Sequence, residues 1–191
     1  MHRGPLRAAA ADAAQAPQGA GPAPGPGPDT VALRQVFGQY PTGVAVVAVR
    51  DARGAPVAMT INSFTTVSLD PPLVAWSIGG RAADLPQFQD APVFGISVLA
   101  SHQEALARRF ADPWHRRDPA GAAAFDSGGA APRVRHAVAW LQCTMHRSLV
   151  LGDHVLIVGR VEQFDAAPGA ALAYHRSRYA RIDGRAGPGP A

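Results

Sequence analysis

The sequence predicts a mainly β fold, a small β-barrel with a few peripheral helices. Runs of β-branched and apolar residues recur along residues 41–182, and Gly, Pro and Asp residues separate them. Helical periodicity is confined to short stretches between these runs. Because strands dominate and helices are few and interspersed, a barrel is favoured over a doubly wound sheet.

The two ends of the chain differ in composition from the part between them. Residues 1–28 are rich in Ala, Pro and Gly and have no apolar periodicity, so we expect a disordered tail. A short helix over the Ala-rich stretch is the alternative. Residues 184–191 are predicted to be a second disordered tail. Residues 29–183 have the length of one domain with a sizeable core.

The elements are predicted from caps, periods and turn residues. Asp29 is expected to cap a helix whose apolar face contains Val31, Leu33, Val36 and Phe37, and which ends at Gly38. Residues 41–50 and 55–64 are predicted strands around a turn at 51–54. The next predicted elements are a strand at 73–80, a helix at 83–89 with Pro86 in its first turn, a strand at 92–100, a helix at 101–110 opened by a capping box of Ser101 and Glu104, two strands within 136–165 around a turn at 151–153, and a closing strand at 171–182.

Residues 111–135 stand apart, since they combine Ala, Gly, Pro and charged residues without a period. We expect this segment to be an excursion or lid.

The composition excludes several classes of function. All 18 basic residues are Arg, so the chain holds no Walker loop, which requires Lys. The net charge of +4 is not accompanied by a nucleic-acid-binding motif, so nucleic acid is not an expected partner. No apolar run approaches the length of a membrane span, so a membrane is not expected either. His146 and His154 come close together on the predicted hairpin, but no carboxylate cluster completes a metal site. A Ser63–His154–Asp hydrolase lacks a supporting GxSxG elbow.

Residues 59–69 carry many short polar side chains on both faces of a predicted strand. One face holds Thr60, Asn62, Phe64, Thr66 and Ser68, and the other holds Ser63 and Thr65 among apolar residues. Small hydroxyl and amide groups suit a planar, polar, phosphorylated ligand that lies close to the backbone. A half-buried strand in which Thr favours β geometry is the alternative, and the local pattern leaves both interpretations open.

Four segments, in this order, resemble the flavin reductase family. They are FGQYPTGVAVVAV (37–49), MTINSFTTVSLDPPLVAWSI (59–78), FGISVLASHQEALARRFA (94–111) and GDHVLIVGRVEQF (152–164). YHRSRY (174–179) resembles the last strand of the family more loosely. The similarity is greatest to the reductase components of two-component flavin monooxygenases, and it implies an FMN-binding split β-barrel.

The resemblance also implies a function. It indicates an NAD(P)H:flavin oxidoreductase that supplies reduced FMN or FAD to a separate monooxygenase, as a cytoplasmic homodimer. The alternative is an FMN-binding electron carrier or a split barrel with another cofactor role, since one fold hosts several functions. The segment IGGRAADL (78–85) lacks the hydroxyls that family members often place near the phosphate, which leaves the choice between FMN and FAD open.

The site residues follow from the same resemblance. His154, oriented by Asp153, is expected to position the nicotinamide or tune the flavin ring rather than to abstract a proton. Arg81, in the loop after the 73–80 strand, is expected near the phosphate. The remaining residues expected to contact the flavin are Thr60, Ile61, Asn62, Ser63, Phe64, Thr65, Ser68, Ser77, Ser97, His102 and Gln103.

Overall fold

The computed structural model describes residues 27–182, and the predicted disordered tails lie outside it except for residues 27 and 28. No helix in this described part is long and apolar enough to cross a membrane. The elements in chain order are α1 (Thr30–Phe37), β1 (Thr42–Gly43), β2 (Ala45–Arg50), β3 (Pro56–Ile61), β4 (Thr65–Leu69), β5 (Pro72–Gly79), α2 (Leu85–Asp90), β6 (Val93–Val98), α3 (Glu104–Ala111), a 3-10 turn (Pro113–His115), α4 (Pro119–Ala122), β7 (Ala139–Leu151), β8 (His154–Ala166), β9 (Leu172–His175) and β10 (Arg178–Arg181).

Seven strands form one antiparallel sheet in the order β3-β2-β6-β7-β8-β5-β4, and β1, β9 and β10 form a second sheet. β3 and β4 are consecutive in the chain but occupy opposite edges of the large sheet. The three residues between them span at most about 14 Å from Ile61 to Thr65, so the two edges must lie near each other. The sheet therefore curls into an open barrel, as the mainly β prediction requires.

The core has two parts that share strand β2. Val47 and Val49 face the barrel interior, where Trp76 packs edge-on against Phe88 with ring centroids 5.4 Å apart. Val46 and the other alternate residues of β2 face a second cluster, formed with α3, the 111–135 segment and β9. Strand β2 is buried on both faces, which explains its nearly uninterrupted apolar sequence.

Helix α1 begins where the sequence predicts, but its apolar face is not buried. The Asp29 carboxylate accepts hydrogen bonds from the backbone N–H groups of Val31 and Ala32. Val31, Val36 and Phe37 are nevertheless 65%, 65% and 66% exposed. Most of this face therefore stays exposed, because the cap that starts a helix is local, whereas burial depends on the neighbouring elements.

The capping box predicted for α3 does not form. The helix begins at Glu104, and Gln103 rather than Ser101 occupies the N-cap position. The Gln103 side chain accepts from the Ala100 N–H and donates to the Arg135 carbonyl. The long amide reaches two backbone groups that a Ser hydroxyl at position 101 does not, so it fixes the loop before the helix.

The 111–135 segment is packed against the barrel rather than free as a lid. Phe125 and Val134 are buried in the second core cluster, and the Val134 N–H donates to the buried Ser97 hydroxyl. A Cβ added at Gly95 would lie 2.2 Å from the Pro132 carbonyl oxygen, so glycine permits this close approach. The lid interpretation is therefore not supported, and the segment contains two short helical turns that the sequence did not predict.

The predicted closing strand at 171–182 is a hairpin of β9 and β10. Arg176 and Ser177 form its turn, both with positive φ (48° and 60°). Such turns usually contain Gly or Asn, so the sequence lacked the ordinary hairpin signal. Arg176 is held by its N–H to the Gly38 carbonyl and by its Nε to the Gln39 side chain.

The single cysteine supplies a simple test of the core. Cys143 is fully buried, and this burial raises the pKa of its thiol to about 12. The neutral thiol is therefore favoured in the folded state, and stability decreases as pH rises above the ordinary thiol pKa. Iodoacetamide at pH 8 is expected to modify the native protein far more slowly than the urea-unfolded protein, as measured by mass spectrometry. Equal rates would contradict this packing.

Candidate functional site

A cleft opens where β2 begins and β3 ends. Ala45 pairs with Ile61 in the sheet, so the first residues of β2 lie beside the chain that leaves β3. The cleft encloses about 190 Å³. We call it the central cleft, and it is lined by Val44, Thr60, Ile61, Asn62, Ala111, Tyr174 and Tyr179.

The predicted continuous strand at 59–69 is broken at this cleft. β3 ends at Ile61, and the chain bends through residues 62–64 before β4 begins. We call residues 62–64 the crossover, because they carry the chain from one edge of the sheet to the other. The strict alternation of two faces is therefore wrong beyond Ile61, and Asn62 projects from a bend rather than from a strand.

Most hydroxyl groups of the polar stretch are used by the protein itself. Thr60 donates to the Ala107 carbonyl of α3 at 2.8 Å, and Thr65 donates to the neighbouring Thr66 carbonyl. The Ser63 hydroxyl accepts from the Ser77 N–H at 3.0 Å and donates to the Ser77 carbonyl at 3.2 Å.

Asn62 differs from its neighbours. Asn62 is exposed and lines the central cleft. Its side-chain amide has no hydrogen-bonding partner within residues 27–182. A free amide beside used hydroxyls offers both a donor and an acceptor to a ligand. Asn62 is thus a polar side chain at the central cleft that is available for recognition.

The Ser63–Ser77 contact brings the crossover close to the turn between β7 and β8. Gly79, two residues after Ser77, pairs with His154, and the Gly80 N–H donates to the Asp153 carbonyl at 2.8 Å. Two residues of a strand cover only about 7 Å. The predicted catalytic pair and the polar stretch therefore lie at the same end of β5.

Asp153 and His154 form a contact pair on the tight turn after Gly152. His154 Nδ1 lies 2.8 Å from Asp153 Oδ1, and the His154 side chain is 54% exposed. The hydrogen bond and the charge of His154 lower the pKa of Asp153 below its ordinary value, with a smaller contribution from Arg34. With Nδ1 bonded to the carboxylate, Nε2 is the ring nitrogen left for a ligand.

Four further predicted residues lie around this end of the barrel. Arg81 is exposed immediately beyond the end of β5. Phe64 borders a small cavity with Val44, which also lines the central cleft. His102 is exposed in the loop that follows β6. The Gln103 side-chain amide is already hydrogen-bonded to the backbone of Ala100 and Arg135.

Two predicted residues lie apart from the central cleft. Ser97 is 1% exposed, and its hydroxyl accepts from the Val134 N–H, so it secures the 111–135 segment instead. Ser68 lies on β4, in a mainly apolar groove beside Trp140 and Phe164. The structure therefore does not bring either hydroxyl to Asn62.

Sequence reasoning missed the two tyrosines that line the central cleft. Tyr174 and Tyr179 are paired across the β9–β10 hairpin. A hairpin in place of one strand puts residues five apart in sequence on the same face. Recognising a turn at residues 176–177 would have identified them, but neither residue there is one that usually marks a turn.

The residue types of the site fit a neutral ring better than a metal ion. Among residues 27–182 no group of three or more His, Cys, Asp and Glu side chains could hold a metal. The central cleft combines an unpaired amide with two phenol rings, and arginines and a histidine lie outside it. Such a set can hold a flat heteroaromatic group by stacking and hydrogen bonds.

Comparisons with known proteins agree with this chemistry. The NADH-dependent FAD reductase of Streptomyces globisporus is 44% identical over 140 residues, which cover 70% of this chain and 74% of that protein. Stachydrine N-demethylase reductase subunit Stc3 of Rhizobium meliloti is 39% identical over 151 residues, covering 79% of this chain and 65% of the relative. The chain spans between half and two thirds of the length of two Rhizobium meliloti relatives that it matches.

A solved structure has the same fold. BorF, the flavin reductase component of a bacterial two-component tryptophan halogenase, superimposes with a TM-score of 0.76 at 36% identity, covering 82% of this chain and all of BorF. The predicted split β-barrel fold is thereby confirmed. The family model of the flavin reductase like domain matches residues 37–183. The chain belongs to the flavin reductase like domain family.

Proposed function

We propose that this protein is an NADH-dependent flavin reductase, with FMN or FAD as the flavin. The observation that carries the proposal is the free Asn62 amide in a cleft lined by tyrosines, at the same end of β5 as the Asp153–His154 pair. The family relatives include NADH-dependent flavin reductases, which supports the same chemistry.

Each residue has a distinct part in this proposal. A bound flavin supplies the ring that accepts a hydride from NADH. The Asn62 amide pairs with polar atoms of that ring, and the Ser63–Ser77 contact keeps the crossover in place. His154 presents Nε2 at the end of β5, where it aligns the nicotinamide, and Asp153 fixes its orientation. Arg81 is proposed to face the flavin phosphate, since a guanidinium matches that dianion.

The direct test mixes purified protein with FMN or FAD and with NADH or NADPH. Loss of flavin absorbance under anaerobic conditions with NADH is the expected result, and no loss with any of the four pairs would contradict the proposal. Dialysis separates the reductase from a flavin-holding electron carrier. A reductase that releases reduced flavin is expected to lose its flavin on dialysis, whereas a carrier keeps it.

Replacing Asn62 with leucine is expected to weaken flavin binding by about 1–3 kcal/mol, because polar ring atoms would be left unpaired. Titration of flavin by isothermal calorimetry measures the change. Gln163→Leu is the matched control, since Gln163 is an exposed amide on β8, away from the central cleft. Parent-like affinity in Asn62→Leu would show that the amide does not face the flavin.

We also propose that a separate flavin-dependent monooxygenase consumes the reduced flavin, in the cytoplasm, where NADH is supplied. One relative is the reductase component of the flavin-dependent trigonelline monooxygenase of Acinetobacter baylyi, and BorF is the flavin reductase component of a two-component tryptophan halogenase. A protein that only delivers flavin needs no tight complex with the oxygenase. Oxygenase activity across a dialysis membrane that passes flavin but not protein would test diffusible delivery, and its absence would indicate direct transfer.

A homodimer is proposed through the groove beside β4. This β4 groove encloses about 630 Å³ and exposes Leu69 (94%), Phe164 (80%) and Val67 (55%). Within residues 27–182, β4 pairs only with β5, so its outer edge is open. The open edge of an antiparallel strand can pair with the same edge of a second copy about a two-fold axis.

Leu69→Glu is expected to convert the dimer into a monomer, because a charge would be buried in the apolar groove. Size-exclusion chromatography with light scattering measures the mass. Val36→Glu is the comparison, because Val36 is an exposed apolar residue on α1. Dissociation by Val36→Glu alone would place the interface on α1 instead.

A further inference from the structure

Two tyrosine rings, which we call the aromatic wall, line the central cleft together with the end of β3. Tyr174 and Tyr179 are directly paired in the β9–β10 hairpin, with ring centroids 5.2 Å apart and planes at 64°. Both line the same cavity as Thr60 and Asn62. The cavity therefore has one polar side and one aromatic side.

A charged side chain stacks on the Tyr179 ring and limits its movement. The Arg108 guanidinium lies 4.9 Å from the Tyr179 ring centroid, and Arg108 is itself held by Glu104 at 2.7 Å. Both charged residues belong to α3, one turn apart. A cation stacked on one face of a ring, and a second aromatic ring at its edge, leave Tyr179 little rotational freedom.

The hairpin that carries both rings is also fixed. Its turn residues Arg176 and Ser177 have positive φ, an uncommon conformation for such side chains. The contacts of Arg176 with Gly38 and Gln39 hold the turn against the end of α1. Strained backbone retained by specific contacts is typical of sites that position a ligand.

The cleft is narrow for its expected ligand. Its 190 Å³ is below the roughly 300–1,000 Å³ of ordinary small-molecule sites. A flat ring that enters this cleft and pairs with Asn62 therefore lies close to the two tyrosines that line the same space. Burial raises the pKa of Tyr179 above its ordinary value, which favours the uncharged phenol.

We propose that Tyr174 and Tyr179 contact the isoalloxazine ring of the flavin and that the Glu104–Arg108 pair holds this aromatic wall in position. The inference rests on the proposed flavin reductase function and adds two ligand-contacting residues and two positioning residues to it.

Flavin fluorescence tests the contact directly. An excited flavin ring takes an electron from a tyrosine that touches it and returns it, which quenches the emission without net reaction. Phenylalanine keeps the ring and the packing but cannot give up the electron. The emission of protein-bound flavin is therefore expected to rise several-fold in Tyr179→Phe and further in the double variant Tyr174→Phe/Tyr179→Phe. Tyr40→Phe, which changes the 76% exposed third tyrosine, is the control.

A second measurement tests the positioning role. Tyr179→Leu is expected to raise the flavin KM roughly two- to tenfold, the range of an aromatic contact, with a smaller change in kcat. Arg108→Met is also expected to raise the flavin KM. Arg108→Lys, which keeps the charge, is expected to give a flavin KM close to that of the parent.

The outcomes separate this inference from the proposed function. Parent protein that binds and reduces flavin, but shows the same bound-flavin emission in the double variant, would overturn the aromatic wall alone. Parent protein that binds no flavin would overturn the proposed function. Brighter emission in Tyr40→Phe than in Tyr179→Phe would also overturn the inference.

Discussion

Replacing Asp84 with alanine is expected to lower the free energy of unfolding by about 3–5 kcal/mol, because it leaves buried charge without a partner. Asp84 lies before α2, and its side chain is only 7% exposed. Its carboxylate accepts two hydrogen bonds from Arg117 at 2.7 and 2.9 Å and one from the largely buried Arg116 at 3.4 Å. Urea denaturation followed by circular dichroism measures the loss.

Asp126→Ala is the matched control for this experiment. Asp126 lies in the 111–135 segment, as the partners of Asp84 do, and pairs with Arg133 and Arg135, but about half of its side chain is exposed. Solvent-exposed pairs contribute about 0–1 kcal/mol, so this variant is expected to be nearly as stable as the parent. Equal losses in the two variants would contradict the importance assigned to Asp84.

The same ion pair connects stability to the site. The Arg116 carbonyl accepts from the Ala58 N–H of β3, so the arginine attaches the 111–135 segment to the strand that leads to Asn62. Ala111, at the start of this segment, lines the central cleft. We therefore expect Asp84→Ala to weaken flavin binding even below its unfolding temperature, and flavin titration at 10 °C would show it.

His154→Ala is expected to slow hydride transfer about 10- to 100-fold while changing flavin affinity much less, because alignment rather than binding is lost. Stopped-flow reduction at saturating flavin and NADH separates the two quantities. His146→Ala is the control, since His146 is an exposed histidine on β7 of the same hairpin. Asp153→Asn is expected to give a smaller decrease, because the amide oxygen can still accept from Nδ1.

Release of flavin by His154→Ala, with an unchanged rate once flavin is saturating, would contradict the alignment role. A decrease of similar size in His146→Ala would show that the hairpin as a whole, not the His154 ring, is responsible.

The elements that the sequence predicted well are those whose signals are local. Asp29 caps α1 through its own next residues, and Gly152 with Asp153 forms the short turn between β7 and β8. The strand at 73–80 and the helix with Pro86 in its first turn were also predicted correctly. Caps, tight turns and apolar runs act over a few residues, so periodicity and residue type are sufficient to find them.

The errors occur where contacts between distant residues decide the structure. The bend after Ile61 depends on the contact between Ser63 and Ser77 on another strand. The N-cap of α3 is displaced because Gln103 reaches the Arg135 carbonyl, 32 residues away. The family resemblance compensated for this in part, since it singled out Asn62 and His154, but it did not place Tyr179 in the cleft.

The crossover gives the domain a form of ligand-dependent stability. Residues 62–64 join the two edges of the large sheet, and Asn62 lies in this junction. A molecule that binds Asn62 only when the crossover is folded must favour the folded domain by mass action. At a concentration 100 times its dissociation constant, such a ligand adds about 2.7 kcal/mol to folding. Cellular flavin would then stabilise the folded domain. Depletion of flavin would increase the fraction of molecules in which a protease can cleave the crossover.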